Sequence, residues 1–194
     1  MNYLAHLALA YPNEDLVVGN FIGDHVRNRD FPRFSPPIQA GIEMHRSIDT
    51  FTDSHMVSKT LRQLLFDTHR HMSRVLLDVF YDHFLAVHFL ALHRVTLQNF
   101  IGLIYPLLEN KQQLMPVSAQ QYLKGMIAQN WLVKYASIAG ISEILSKMAR
   151  RSGLDDLSLG TESLDRYYEQ INDGFLAFYP ELIAHANSIK KGAV

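Results

Sequence analysis

Four pairs of polar residues stand four positions apart, mostly within apolar stretches, and this spacing puts both members of a pair on one helix face. The pairs are Asn2/His6, Asn20/Asp24, His45/Asp49 and Asp78/Asp82. An ionised carboxylate in an apolar interior is costly unless another charge compensates it. Because a divalent cation provides that compensation, the repeated spacing favours a metal site inside a helical bundle.

The ligands available to such a metal are imidazole nitrogens and carboxylate oxygens, since the chain has no cysteine. This set suits Mn, Fe, Zn or Mg and leans toward the first three. The densest group of titratable side chains lies in the stretch HRSIDTFTDSH, residues 45–55. It contains His45, Asp49, Asp53 and His55, with Arg46 beside the first.

Structural explanations of the same residues stay open. The four aspartates of the pairs could form buried salt bridges instead. The arginines available for this are Arg27, Arg46 and Arg74. His6 could be a core histidine bonded to a carbonyl, Asn2 a helix cap and Asp53 a helix terminator. Spacing alone leaves a metal site and a salt-bridge network equally open.

The elements that must position these residues are helices, because apolar residues recur every three or four positions. The alternation of apolar and polar residues that is typical of a β-strand is nearly absent. We predict an all-α fold with helices over about residues 2–10, 14–27, 36–52, 57–71 and 73–93. Ser35 and Pro36 mark the start of the third, and the last should be central because it is apolar nearly all round. On that helix Asp82 and His83 diverge by about 100°, so both serve one site only if it lies between them.

Further helix signals lie in the second half of the chain. Ser118 with Gln121 predicts a capping box at the start of a helix. Thr161 is expected to cap the last long helix, which should reach FLAFYP before Pro180, the last residue of this stretch, perturbs it. The glycines that punctuate the stretch between are Gly140, Gly153 and Gly160.

Composition points to one folded domain over residues 1–194, since 48% of the residues are hydrophobic and 19% are charged. A net charge of −1 provides no global field to attract nucleic acid or an anionic membrane. The apolar start MNYLAHLALAYP lacks a basic leading segment and is far shorter than the ~20 residues that span a bilayer. The lack of cysteine is typical of a bacterial-type cytoplasmic protein. We predict a cytoplasmic protein without a nucleic-acid or membrane partner.

Six stretches follow one another along nearly the whole chain. They are MNYLAHLALA, GNFIGDHV, GIEMHRSIDTFTDSH, LLDVFYDHFLA, WLVKYASIAGISEILSKMARR and FLAFYPEL. In this order they resemble the successive motifs of the acyl carrier protein phosphodiesterases, also called acyl carrier protein hydrolases. HRSIDTFTDSH together with DVFYDHFLA is the most specific part of the resemblance.

The resemblance implies an all-helical enzyme distantly related to the HD-domain metal-dependent phosphohydrolases. Such an enzyme hydrolyses the phosphodiester that joins 4'-phosphopantetheine to a serine of holo acyl carrier protein and releases the apo protein. It depends on a divalent cation, typically Mn²⁺, with Mg²⁺, Fe²⁺ and Zn²⁺ also open.

For this reaction we expect a metal and water-positioning shell of five residues. They are Asp24, His45, Asp49, Asp78 and Asp82. Asp24 or Asp53 would take the proton of the attacking water, and His83 or His6 would protonate the leaving serine oxygen. Arg46 would bind the phosphate.

The acyl carrier proteins are small and acidic, so the partner implied by the resemblance needs a local basic docking surface on this nearly neutral chain. The candidates are Arg27, Arg29, Arg33, Arg62 and Arg70. For the pantetheine arm, the candidate lining residues are Phe31, Phe34 and Phe51.

Three rival functions remain. The first is an HD-type phosphohydrolase acting on a nucleotide or another small phosphodiester. The second is an oxygenase with two irons, although the chain lacks the Glu-x-x-His repeats of the ferritin-like version. The third is a non-catalytic carrier-protein binder whose buried acids pair with arginines.

Overall fold

The computed structural model describes residues 1–152 and 159–192, and these residues form helices and turns without a β-strand. The predicted all-α class is therefore confirmed, while the relation to HD-domain proteins stays a prediction. In chain order the helices are α1 Tyr3–Ala10, α2 Glu14–Ile22, α3 Pro36–Ser54, α4 Met56–His69, α5 Ser73–Val87, α6 Phe89–His93, α7 Leu97–Asn110, α8 Val117–Ala128, α9 Trp131–Lys134, α10 Ile138–Ser152, α11 Gly160–Arg166 and α12 Tyr168–Gly192.

Asparagine side chains cap the first two helices. The Asn2 Oδ1 accepts a hydrogen bond from the Tyr3 amide at 2.9 Å, and the Asn13 Oδ1 accepts one from the Leu16 amide at 3.0 Å. These bonds satisfy amides that have no partner inside the helix. α2 ends at Ile22 and continues as a short 3₁₀ turn over residues 23–25, so it is shorter than predicted.

α2 and α3 approach each other closely at two glycines. A Cβ atom on Gly19 would lie 2.3 Å from the main-chain oxygen of Ile38 and 2.6 Å from the Cα of Gly41. A Cβ on Gly41 would lie 2.8 Å from the Cα of Gly19. Only glycine fits both positions, because the obstructing atoms belong to the main chain. The crossing fixes the distance between the helices that carry Asn20 and His45.

α5 is the buried helix that the apolar pattern predicts. Its fully buried side chains include Leu76, Val79, Phe80, Tyr81, Phe84 and Leu85. It ends at Val87 instead of continuing to residue 93, because His88 leaves the helical conformation before α6 begins. The His88 Nε2 lies 2.7 Å from the Asn172 Oδ1 on α12, a tertiary contact that the local pattern does not reveal.

Asp82 on α5 holds the start of α1. Its carboxylate accepts hydrogen bonds from the amides of Asn2, Leu4 and Ala5 at 3.2, 2.7 and 3.4 Å. Burial raises the pKa of Asp82 to about 7, although the three amide donors favour the ionised form. This carboxylate therefore anchors α1, and with it His6, to α5.

Two cap predictions in the second half are wrong. α8 begins at Val117, so Ser118 lies inside the helix, and its hydroxyl oxygen is 3.2 Å from the Nδ1 of His25. Thr161 lies in the first turn of α11, a short helix that ends at Arg166, and so does not cap the last long helix. The Ser118 side chain contacts His25, which is distant in the sequence, instead of capping α8. The chain leaves the helical conformation between α11 and α12, so Thr161 belongs to a different helix from α12.

The last helix also differs from the prediction, because α12 continues through Pro180 to Gly192. An interior proline costs a helix about 3 kcal/mol. Phe178, Tyr179 and Leu182 around it are fully buried, and their packing keeps the segment helical. Of the punctuating glycines, Gly140 lies within α10, Gly160 begins α11 and Gly153 lies outside the described residues.

The buried hydrophobic side chains of the described residues form one cluster that runs from α1 to α12. The prediction of a single domain over the whole chain stays a prediction. None of the helices in residues 1–152 and 159–192 combines the length and the apolar character needed to cross a membrane.

Candidate metal centre

Two histidines and one aspartate from α1 and α3 bring their donor atoms together. One ligand atom each of His6, His45 and Asp49 lies within 4.8 Å of the others. The His6 Nε2 is 3.1 Å from the Asp49 Oδ1, and the His45 Nε2 is 3.2 Å from the Asp49 Oδ2. The imidazole rings are stacked with their centroids 3.9 Å apart and their planes 16° from parallel. Each oxygen of one carboxylate therefore faces one ring nitrogen.

Asn20, fully buried on α2, contacts the other nitrogen of both rings. Its side-chain Oδ1 lies 3.2 Å from the His6 Nδ1, and its main-chain oxygen lies 2.9 Å from the His45 Nδ1. The Asn20 Nδ2 donates to the Leu16 carbonyl at 3.2 Å, which turns Oδ1 toward His6. Because both oxygens accept hydrogen bonds, the Nδ1 of each ring carries a proton, and the Nε2 of each ring faces Asp49.

Asp24, in the turn after α2, forms the solvent-facing edge of this group. Its Oδ1 lies 3.2 Å from the His45 Nε2, and its side chain is 67% exposed. The preceding residue packs against the same ring, since a Cβ on Gly23 would lie 2.3 Å from the His45 Cγ. The group is thus enclosed on the α1 and α3 sides and has an accessible carboxylate at Asp24.

The protonation of the two stacked rings is coupled. Burial opposes the charged form of His45, but hydrogen bonds with Asp24 and Asp49 raise its pKa to about 9. Burial and the neighbouring His45 charge lower the pKa of His6 to about 4. Bonds from both histidines lower the pKa of Asp49 despite its burial. A proton on the His45 Nε2 therefore competes with a metal ion for the same position.

The chemistry of these donors fits a divalent cation. Imidazole nitrogen and carboxylate oxygen are ligands for Mn, Fe and Zn. Each histidine also has its second ring nitrogen against an oxygen of Asn20, which is how metal-binding histidines are usually oriented. His6, His45 and Asp49 could thus hold a metal ion. The Asp24 carboxylate lies beside this group, 3.2 Å from the His45 Nε2.

The two remaining predicted ligands are engaged elsewhere. The α-amino group of Met1 donates to the Asp78 Oδ1 at 2.8 Å and lies 3.7 Å from the Asp49 Oδ1. Burial raises the pKa of Asp78. Asp82 binds the amides at the start of α1. The i, i+4 spacing does put Asp78 and Asp82 on one face, but that face meets the N-terminal segment instead of His45.

Three predicted catalytic residues also lie outside the group. Asp53 forms ion pairs with Arg62, at 3.1 Å, and with Arg74. The Arg46 guanidinium lies over the Phe31 ring at 5.4 Å from its centroid. Neither residue is therefore turned toward Asp49.

His83 is the third of these residues. Its Nδ1 lies 2.7 Å from the Tyr135 carbonyl oxygen, and its Nε2 lies 3.1 Å from the Tyr168 hydroxyl. Both ring nitrogens are occupied by protein partners, which separates His83 from the group around Asp49.

The arginine alternative is wrong for the four paired aspartates. Within residues 1–152 and 159–192, their ion pairs are with His6, His45 and the Met1 amino group, and none is with an arginine.

The site predicted from the sequence does not include Asn20. Its polar character inside the apolar stretch VVGNFIGD and its spacing from Asp24 were the signals that could have included it.

Comparison with known proteins assigns the chain to a family. The family model described as acyl carrier protein phosphodiesterase matches residues 1–182. The chain belongs to this family. The resemblance read from the motifs is thus confirmed.

Curated relatives match along almost their full length, and each is named acyl carrier protein phosphodiesterase. The protein from Photorhabdus laumondii is 33% identical over 190 residues, which is 97% of this chain and 96% of the relative. The protein from Pectobacterium atrosepticum is 34% identical over 97% of this chain and 98% of its own. An Escherichia coli protein is 34% identical over 96% of this chain and 98% of its own. No solved structure matches this chain.

Proposed function

We propose that this protein is a metal-dependent phosphodiesterase that cleaves 4'-phosphopantetheine from the serine of holo acyl carrier protein. Family membership supports the class of reaction. The observation that carries the metal dependence is that His6 and His45 both turn Nε2 toward the carboxylate of Asp49. Mn²⁺ is the proposed ion, and the same donors also accept Fe²⁺, Zn²⁺ or Mg²⁺.

The proposed roles follow from the positions of the side chains. A divalent ion held by His6, His45 and Asp49 would neutralise phosphate oxygens and acidify a bound water. A hydrogen bond with His45 lowers the pKa of Asp24, which keeps this exposed carboxylate ionised. Its position, with Oδ1 3.2 Å from the His45 Nε2 at the solvent-facing edge, is the support for its proposed role of orienting the attacking water and accepting its proton. Asn20 fixes the tautomers of both histidines.

The protein partner would dock near the Asp24 edge. Arg27, Arg29 and Arg33 are exposed in the segment that follows Asp24. Arg29 and Arg33 lie 3.7 and 3.1 Å from Asp30, which partly neutralises them. These arginines are the proposed contact for an acidic carrier protein in the cytoplasm, the compartment that the sequence predicts.

The test is to incubate the purified protein with holo acyl carrier protein and Mn²⁺, with and without a chelator, and to follow the intact mass of the carrier protein. Loss of the phosphopantetheine mass only in the presence of metal is the expected result. His45→Ala should abolish this loss while the helical circular dichroism is preserved. His71→Ala, which changes an exposed histidine outside the group, serves as the matched control and should stay active.

A carrier protein of unchanged mass with every divalent metal would contradict the proposal. Hydrolysis of a nucleotide or another small phosphodiester under the same conditions would then favour the HD-type alternative. Stable binding without hydrolysis of any phosphodiester would favour the non-catalytic binder.

A further inference from the structure

A cavity of about 830 Å³ opens beside the candidate metal centre, and both Asp24 and Asp78 belong to its lining. This volume lies within the range of about 300–1,000 Å³ that is usual for small-molecule sites. Phe31, Phe34 and Phe51, the expected lining of a pantetheine slot, do not border it in the described part of the chain. Phe34 instead lines a separate cavity of about 350 Å³.

A row of aromatic side chains forms one wall of the larger cavity. The Tyr3 and Tyr122 rings are stacked with their centroids 4.8 Å apart, and Trp131 meets Tyr122 edge-on at 5.0 Å. The Trp131 Nε1 donates to the Gln129 Oε1 at 3.0 Å. Tyr3 lies on α1, the helix of His6, so the row leads from the metal-centre helix toward α9.

Further apolar lining groups come from α10 and from the start of α5. Val75 of α5 lies on the same face as Asp78, Met72 directly precedes α5, and Ile144 and Met148 of α10 are one turn apart. Lys147 and Arg150 of α10 add positive charge to the lining, and the Lys147 ammonium group binds the Glu143 carboxylate at 2.6 Å. The cavity therefore offers apolar and aromatic surface along most of its lining and carboxylates next to the metal centre.

These surfaces restrict the occupant. Its body must be largely uncharged, with apolar groups for the aromatic wall and amide groups that Gln129 can reach. The Met1 ammonium, 2.8 Å from the Asp78 Oδ1, already offsets that carboxylate. An anionic end would therefore be repelled mainly by Asp24, unless a cation lies beside it. A 4'-phosphopantetheine arm has this distribution, since its two amides, methyl groups and thiol follow one phosphate.

We propose that this cavity binds the pantetheine arm of the substrate along the Tyr3–Tyr122–Trp131 row while the phosphate lies at the Asp24 edge. The inference rests on the proposed function and adds the binding site of the leaving arm. Tyr122, Trp131 and Ile144 are then binding residues that determine which arm is accepted. The phosphate-free arm binds without metal, whereas the phosphorylated arm binds more tightly when Mn²⁺ is present.

Trp131 gives a direct measurement, because it is the single tryptophan of the chain. Free pantetheine and 4'-phosphopantetheine are titrated into the full chain, and the Trp131 fluorescence is followed with and without Mn²⁺. We expect a saturable change with both compounds and a metal-dependent increase in affinity for the phosphorylated one alone. Calorimetry on the same samples measures the affinity independently of the fluorescence.

Ile144→Phe should fill part of the cavity and weaken pantetheine binding at least about tenfold, which corresponds to about 1.4 kcal/mol. Ile138→Phe is the matched control, because it makes the same change at a 38% exposed position of the same helix. Tyr122→Ala should weaken binding as well, so the test does not depend on one variant. Circular dichroism verifies that each variant is folded.

The binding result is separate from turnover. Pantetheine binding that Ile144→Phe and Tyr122→Ala weaken supports the site even if holo acyl carrier protein is not hydrolysed. Hydrolysis with no pantetheine binding, or with affinities that match the Ile138→Phe control, would overturn the site and leave the proposed function standing. Binding of adenosine monophosphate in place of pantetheine would also overturn it.

Discussion

At the residue scale, Asn20 links two histidines through two different oxygens. The side-chain oxygen meets His6 and the main-chain oxygen meets His45, so one residue orients both rings. A side-chain substitution at this position removes only the first of these contacts. The orientation of His6 can therefore be disturbed by mutation while the contact that orients His45 is kept.

Asn20→Ala should weaken metal binding by about 10–100-fold, as is typical when a ligand loses the partner that orients it. The main-chain contact with His45 persists, so some affinity should remain. The measurement is a calorimetric titration with Mn²⁺, and Asn99→Ala at an exposed position of α7 is the control. Unchanged affinity in a folded Asn20→Ala protein would show that the His6 tautomer does not depend on Asn20.

The pKa of His45 predicts how metal binding changes with pH. Because this pKa is raised from 6.5 to about 9, the ring nitrogen that faces Asp49 keeps its proton across neutral pH in the metal-free protein. A metal ion must displace that proton, so the apparent affinity should rise between pH 6.5 and 9, by up to about tenfold per pH unit. Competition with a chelator at several pH values measures this slope. A flat profile over this range would contradict the prediction.

The raised pKa of His45 also affects the stability of the metal-free protein, which should fall as the pH rises. The charged His45 bonds contribute fully below pH 6.5, the unfolded value, and their contribution is lost as the pH rises through about 9. In chelator, the free energy of unfolding measured with urea should therefore fall over this interval. Replacing His45 with Gln should remove most of that pH dependence.

At the element scale, spacing identifies the members of a helix face but not what lies opposite. His45 and Asp49 share a face of α3, and that face does meet His6. Asp78 and Asp82 have the same spacing on α5, yet they meet the Met1 amino group and the first amides of α1. The pairs were therefore visible in the sequence, whereas their partners depended on how the helices cross.

The lengths of the helices also depend on contacts that the local sequence does not reveal. Local patterns identified the first five helical regions, but the break at His88 coincides with a contact to Asn172, far away in the sequence. The continuation of α12 through Pro180 depends on buried side chains from both sides of the proline. Both outcomes come from tertiary packing, which overrides the local preference.

Gly19→Ala tests the crossing of α2 and α3. The new methyl group would meet main-chain atoms of Ile38 and Gly41, so the helices must separate. We expect a loss of about 1–3 kcal/mol in the free energy of unfolding, which is usual for overpacking. Metal binding should weaken too, because Asn20 and Asp24 move with α2. Urea unfolding and a Mn²⁺ titration measure the two effects.

Gly102→Ala is the matched control, since a Cβ there would have no heavy atom within 4 Å apart from its own helix and chain neighbours. In an exposed helix interior this change should stabilise the protein by up to about 1 kcal/mol. Equal effects of the two substitutions would show that the crossing does not determine the geometry of the site.

At the scale of the whole molecule, a net charge of −1 means that an acidic partner must be attracted locally. Asp53 is shared by Arg62 and Arg74, and Asp30 is shared by Arg29 and Arg33, so each aspartate offsets only part of the positive charge of its two arginines. Arg27 is exposed and has no ion pair among the described residues, so it should contribute most to docking.

Arg27→Glu should raise the KM for holo acyl carrier protein several-fold at low salt and leave kcat nearly unchanged. The difference from the unmodified protein should shrink as ionic strength rises, because salt screens exposed charges. Steady-state kinetics at several salt concentrations give the comparison. Arg166→Glu, an equal charge change on the exposed face of α11, should have little effect. Similar KM values for both variants would place the docking surface elsewhere.

The side chains of the candidate metal centre all lie within α1–α3 and the turn after α2. In the proposed arm site, Tyr3 lies on α1, whereas Tyr122, Trp131 and Ile144 lie between residues 122 and 144. The residues that hold the ion and most of the residues that select the arm would thus be encoded in different parts of the gene. Mutations in the later part could adapt the protein to a new prosthetic group while the ion-holding residues stay untouched, which makes that region the natural target for directed evolution.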